Sequence, residues 1–109
     1  MKTEEIIKRF AASGIECRSD GALVDAGTCW NSVTPMVYDM SGFTKAYMIG
    51  EEGKDVVCVQ GPVRVFIPLF ENPTMEHVDA LIEATKDEKV LDAVISVRTD
   101  EIMGMCVFV

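Results

Sequence analysis

His77 is the only histidine in the chain, so any histidine-based acid–base, thiol or zinc chemistry would have to be built on that one ring. A catalytic Cys–His pair needs the ring within hydrogen-bond reach of the thiol and a third group to orient it. Beside His77 stand Glu76 and Val78, with no cysteine nearby in sequence. The ring is therefore read as a surface histidine on a solvated helix. The four cysteines, Cys17, Cys29, Cys58 and Cys106, lie 12, 29 and 48 positions apart, and none makes the close pair that zinc and dithiol redox sites use. Cys58 in Val56-Val57-Cys58-Val59 and Cys106 in Met105-Cys106-Val107-Phe108 have the surroundings of small hydrophobes. The reading is free structural thiols in a reducing cytosol.

Carboxylates are the next groups that could act. At 100° per residue, Glu76, Asp79, Glu83 and Asp87 gather within about 80° on one side of a helix. A calcium loop instead takes its oxygens from alternate positions of a loop with a glycine at the bend, which a helix cannot supply. The ridge suits electrostatic recognition of a basic surface. Gly50-Glu51-Glu52-Gly53-Lys54 has two residues between its glycines where a phosphate loop has four, and its carboxylates stand where phosphates would sit. It reads as a hairpin turn. No catalytic residue, metal ligand or cofactor site is expected from these patterns.

Eighteen acidic residues against ten basic ones give a net charge of −8. The excess is concentrated, since residues 71 to 109 hold nine acids and three bases. Such a field repels nucleic acid and acidic membranes and attracts basic surfaces. The bases are scattered, with no stripe of cations and aromatics to grip phosphates and stack bases, so direct nucleic-acid binding is not expected. These features predict a non-catalytic interaction domain for a basic protein, for instance an acidic inhibitor or decoy of a nucleic-acid-binding partner of phage or mobile-element type. The alternative is a small-molecule-binding or thiol-dependent enzymatic domain, its site between the 25–42 loop and the sheet. Trp30 and Tyr38, with Met36 and Met40, make that loop rich in large apolar groups, and both are candidate recognition residues.

The elements that must position these groups follow from periodicity. Ile6, Ile7, Phe10 and Ala11 predict a helix over 3–13, capped by Thr3 and closed by Gly14, with Ile15 folding back on Phe10. Two short strands flank Ser19-Asp20-Gly21, and 25–42 reads as an ordered irregular loop. Segments 43–49 and 55–60 form a hairpin, and 63–67 a strand that ends at Pro68. Asn72 and Pro73 start a second helix, about 73–86, which buries Met75, Val78, Leu81 and Ile82. Strands over 94–98 and 102–109 finish the chain. The last strand puts Met103, Met105, Val107 and Val109 on one face and Ile102, Cys106 and Phe108 on the other, apolar on both sides. It therefore belongs at a sheet centre with layers on both faces or in an interface, such as a homodimer formed through this strand.

The whole is one α+β domain over 1–109, with two helices packed on one face of a mainly antiparallel sheet of about five to seven strands. The pattern strand, helix, strand, strand over 63–109 resembles part of a ferredoxin-like unit. At 49% apolar residues the chain can bury a core without staples, and its longest apolar runs are far below the ~20 residues of a membrane span. With no secretory signal pattern at its start, a soluble cytoplasmic protein is expected.

Overall fold

The computed structural model describes residues 2–20, 36–39, 42–50, 52–61, 64–68, 72–98 and 101–109. Helix α1, Thr3–Ala12, buries Ile6 and Phe10 and carries Glu4 and Glu5 in its first turn, where the positive end of the helix dipole favours them. Lys2, not Thr3, occupies the cap position. At the other end the Ile15 amide donates to the Phe10 carbonyl and the Gly14 amide to the Ala11 carbonyl, with Gly14 at φ 79°. This is the Schellman ending expected from Gly14, and Ile15 joins Phe10 in the core.

Among the described residues seven strands follow the sequence signals with one addition. They are β1 (Cys17–Asp20), β2 (Met36–Asp39), β3 (Lys45–Ile49), β4 (Val56–Gln60), β5 (Arg64–Ile67), β6 (Asp92–Arg98) and β7 (Glu101–Phe108). Helix α2, Met75–Ala84, lies between β5 and β6. The strand expected after Gly21 lies outside the described residues. β2 is the addition, because it falls in the stretch read as an irregular loop. Four residues are too few to show a period, and β2 gains its order by pairing with β5 from Met36↔Ile67 to Asp39↔Arg64.

The main sheet has the order β1-β6-β7-β3-β4, and β2 with β5 forms a second, two-stranded sheet. Only β1 and β6 run parallel; every other described pair is antiparallel. Because β5 joins the smaller sheet, residues 63–109 do not form one ferredoxin-like sheet. The two helices cover one face of the main sheet, where Ile6, Phe10, Val78 and Leu81 meet Ile49, Ala93, Ile95, Met105 and Val107. On the opposite face Val65 and Ile67 of β5 pack against Ala46, Met48, Val94, Cys106 and Phe108. Phe43 stacks on Phe108 there, with ring centroids 4.9 Å apart.

β7 is thus central, flanked by β6 and β3, with an apolar layer over each face. Val109 is 6% exposed, and its amide and carbonyl bond to the carbonyl and amide of Lys45. The apolar cover of this strand comes from within the chain. Its alternation breaks once. Ser96 pairs with Gly104 but Val97 with Ile102, so Met103 is an extra residue in β7. This bulge moves Ile102 to the helix side with Met105 and Val107, and not with Cys106 and Phe108 as strict alternation predicts.

Candidate functional site

α2 packs Val78 and Leu81, both fully buried, onto the sheet, and this turns Glu76, Asp79 and Glu83 outward. Asp87 is exposed in the turn after the helix rather than on it. The four ridge carboxylates are not electrostatically alike. Arg9 Nε of α1 donates to Asp79 Oδ1 at 2.7 Å, tying the two helices together across their outer surface. Lys86 Nζ meets Glu83 Oε1 at 2.6 Å. Glu76 and Asp87, at the two ends, make no ion pair among the described residues. Adding Lys2, Glu4, Glu5 and Lys8 of α1 and its cap, the exposed charged groups of the helix layer and its flanks, over 2–9 and 76–87, are six carboxylates against four cations.

Helix α2 begins differently from the sequence reading. Asn72 adopts φ 53° and Pro73 precedes the helix, so Thr74 takes the cap position. Three residues on, His77 Nδ1 accepts the Thr74 amide at 2.9 Å, filling the place a Glu or Gln usually takes in a capping box. Its Nε2 lies 2.8 Å from the Gly53 carbonyl in the β3–β4 turn. One partner only donates and the other only accepts, so Nδ1 serves as acceptor and Nε2 as donor. His77 is therefore a latch between α2 and the hairpin, and not a solvated surface histidine. The spacing Thr74-x-x-His77 was the sequence signal for it.

A second polar group sits where β3 passes under the segment after α2. Lys45 Nζ and the Tyr47 hydroxyl both donate to Glu88 Oε1, at 2.9 and 3.2 Å. The Lys45 hydrogen bond holds the Glu88 carboxyl below its ordinary range, and the same bond raises Lys45. Tyr47 is raised by loss of solvent and then by Cys58, its cross-strand partner, so its hydroxyl keeps its proton and serves as a donor. Glu88 also lines a cleft of about 270 Å³ between the C-terminal ends of the two helices, with Gly14, Ile15, Ile82, Thr85 and Val90. The Thr85 hydroxyl donates to the Leu81 carbonyl at 2.8 Å and is committed to its own helix. Tyr47 also stands beside the Cys58 thiol, but its hydroxyl keeps its proton and so offers that thiol no base.

The thiols divide in two. Burial, followed by the Asp92 charge, pushes Cys17 up to about 12 from an ordinary 9.0 against a smaller opposing effect of Arg18. Burial also raises Cys106. Both stay protonated and unreactive at neutral pH. Cys58 is exposed on β4, contrary to its reading as a small buried hydrophobe, opposite Tyr47 on the outermost described strand of the sheet. All three are free, and Cys29 lies outside the described residues.

Of the remaining predicted recognition residues, Trp30 lies outside the described residues, as does most of the 25–42 loop with the site expected between it and the sheet. Tyr38 is placed by its backbone opposite Val65 in the small sheet. Among the described residues no three His, Cys, Asp or Glu side chains gather in a way that would hold a metal ion. No described helix is long and apolar enough to cross a membrane. Compared with protein-family models, with curated proteins and with solved structures, the chain matched none.

Proposed function

We propose that this protein is a non-catalytic interaction domain that presents its helix layer to a basic partner protein. The observation that carries the reading is the outer surface of α1, α2 and the residues flanking them, where six exposed carboxylates face four cations on a layer held by a common core. Two of those cations are already spent on Asp79 and Glu83, so the free negative charge lies at Glu76, Asp87 and the first turn of α1. Helices anchored to a five-stranded sheet hold these groups at fixed spacing, which suits recognition of a complementary surface at little ordering cost. A partner whose own function is to grip phosphates offers the matching chemistry, so an inhibitor or decoy of a nucleic-acid-binding protein is the concrete form proposed. The thiol-enzyme alternative gains no support among the described residues, since the two buried thiols are held protonated and the Tyr47 hydroxyl beside Cys58 keeps its proton.

The test is charge reversal. Combined Glu76→Lys, Asp79→Lys and Glu83→Lys should abolish capture of purified basic nucleic-acid-binding domains that the wild type retains at low salt. Wild-type retention should fall steeply as salt rises. Equal retention by both proteins across the salt series would sink the idea.

A further inference from the structure

We propose that the open edge of β4 is a docking strand that takes an extended basic segment of the partner as a sixth strand of the main sheet. The inference rests on the partner chemistry proposed above and adds where and how that partner binds.

Among the described residues the main sheet ends at β1 on one side and β4 on the other, and these edges differ. Natural edges are blunted by charge, proline or shortness. β1 has four residues and carries Arg18, paired with Asp92 at 3.1 Å, and Asp20. In the small sheet, β5 is also four residues, carries Arg64 and runs into Pro68. β4 has none of these protections. Its five residues, Val56–Gln60, include no charge and no proline, and Val57 is 42% exposed with Cys58 exposed beside it.

The register shows which backbone groups this edge offers. The Gly50 amide donates to the Asp55 carbonyl at 3.0 Å, which makes Gly50 and Asp55 a hydrogen-bonded pair at the turn. Bonded and non-bonded pairs alternate along an antiparallel ladder. Met48 with Val57 and Ala46 with Val59 are then the bonded pairs, and Val56, Cys58 and Gln60 turn their amides and carbonyls away from β3. The other side of β3 agrees, since Lys45 exchanges both bonds with Val109, the residue after β7, leaving Ala46 and Met48 to bond β4. Three consecutive outward residues are the template that strand addition uses.

Charge selects the occupant. A second copy brings another net −8 to the contact, which opposes self-pairing. Glu52 and Asp55 are exposed in the turn where β4 starts, against Lys54 alone. The His77 bond to the Gly53 carbonyl sets the first turn of α2, and with it exposed Glu76, beside that turn. The acidic layer and the open edge meet there, so one basic partner can use both.

The probe is a synthetic peptide of alternating Lys and Val, titrated into the full-length protein and followed by amide NMR and hydrogen exchange. Four proteins are compared: wild type, Cys58→Pro, Cys58→Ser and the triple Lys variant of the ridge. Proline at 58 removes an outward amide and no β3–β4 bond, so the hairpin should survive; Gln60→Pro, which removes another outward amide, replaces it if circular dichroism shows Cys58→Pro unfolded. The expected result is protection of the Val56, Cys58 and Gln60 amides on binding. Affinity should fall about tenfold in the proline variant and stay unchanged in Cys58→Ser, the factor expected for one or two lost hydrogen bonds. Equal binding by wild type and the proline variant overturns the docking strand; if the ridge variant is weakened in that case, the acidic-face reading stands by itself. Weakening by proline with no effect of the ridge variant supports the docking strand and removes the ridge. Loss of binding in neither overturns both.

Discussion

Replacing Gly104 by alanine should destabilise this protein, although alanine costs less backbone entropy than glycine in a strand. A Cβ built at Gly104 stands 2.8 Å from the Pro68 carbonyl oxygen and 3.1 Å from Ile67 Cγ2. The first contact is with main chain that no rotamer change can move, and carbon–oxygen contacts normally begin at about 3.3 Å. Either β5 must back away from β7 by about half an ångström or the bulge at Met103 must relax, and both loosen the core between the two sheets. Overpacking of this kind costs about 1–3 kcal/mol. Removing glycine returns about 0.5–1 kcal/mol of backbone entropy. The net loss is about 1–2 kcal/mol, which for a domain of this size lowers the midpoint of thermal unfolding by about 4–9 °C.

Urea denaturation at fixed pH reads the loss directly, with the slope checked so that a change in the unfolded chain is not mistaken for a change in stability. Gly104→Val sharpens the experiment. Valine is the better strand former, so propensity alone orders the three proteins Val, Ala, Gly, whereas the Pro68 contact orders them Gly, Ala, Val. An alanine variant as stable as the wild type would refute the close approach and, with it, the seating of β5 on the sheet.

The latch at His77 makes a second expectation: His77→Ala should cost about 1 kcal/mol as the Thr74 amide loses its acceptor, and His77→Gln should recover part of it, because glutamine can fill a capping box. Equal loss in both variants, measured by urea denaturation, would remove the capping role. In the native state a thiol reagent at neutral pH should label Cys58 and spare Cys17 and Cys106 until the chain unfolds; fast native labelling of either buried thiol contradicts their burial. The same burial has an alkaline signature. Cys17 ionises near 9.0 when unfolded but only at about 12 when folded, so between those values the folded chain holds more protons and stability falls as pH rises. Cys17→Ala should flatten that part of the stability profile, and an unchanged slope would count against it.

Much of the fold was legible because its signals are local. Both helices, the Schellman ending at Gly14, the β3–β4 hairpin and the two-sided apolar last strand can each be read from a window of about ten residues. What was not legible depends on distant segments. β2 is a strand because β5 supplies its partner almost thirty residues later, and no pattern within Met36–Asp39 announces that. The bulge lies beside the approach of the Pro68 carbonyl to Gly104, a contact between residues more than thirty positions apart that no local pattern announces. Thr74 took the cap from Asn72 because His77 could bridge its amide to Gly53, a contact between a helix and a turn in another layer.

The candidate site shows the same division, with consequences for where recognition is concentrated. Helical spacing placed Glu76, Asp79 and Glu83 on one face, but spacing does not reveal what the neighbouring helix brings. Arg9 reaches Asp79 from α1, and Lys86 folds back on Glu83, so the middle of the ridge is largely self-neutralised. Exposed pairs of this kind stabilise little, about 0–1 kcal/mol, yet they cancel most of the field a partner would feel at that point. The uncancelled charge is displaced to the ends. At one of them, Glu76 stands a residue from the ring that pins the β3–β4 turn, and that turn leads directly into β4, whose outer side no described strand pairs. A side chain that looked like an ordinary solvated histidine therefore sets the distance between the free acid and the free backbone, which makes the start of α2 the part of the surface where both forms of recognition can act together.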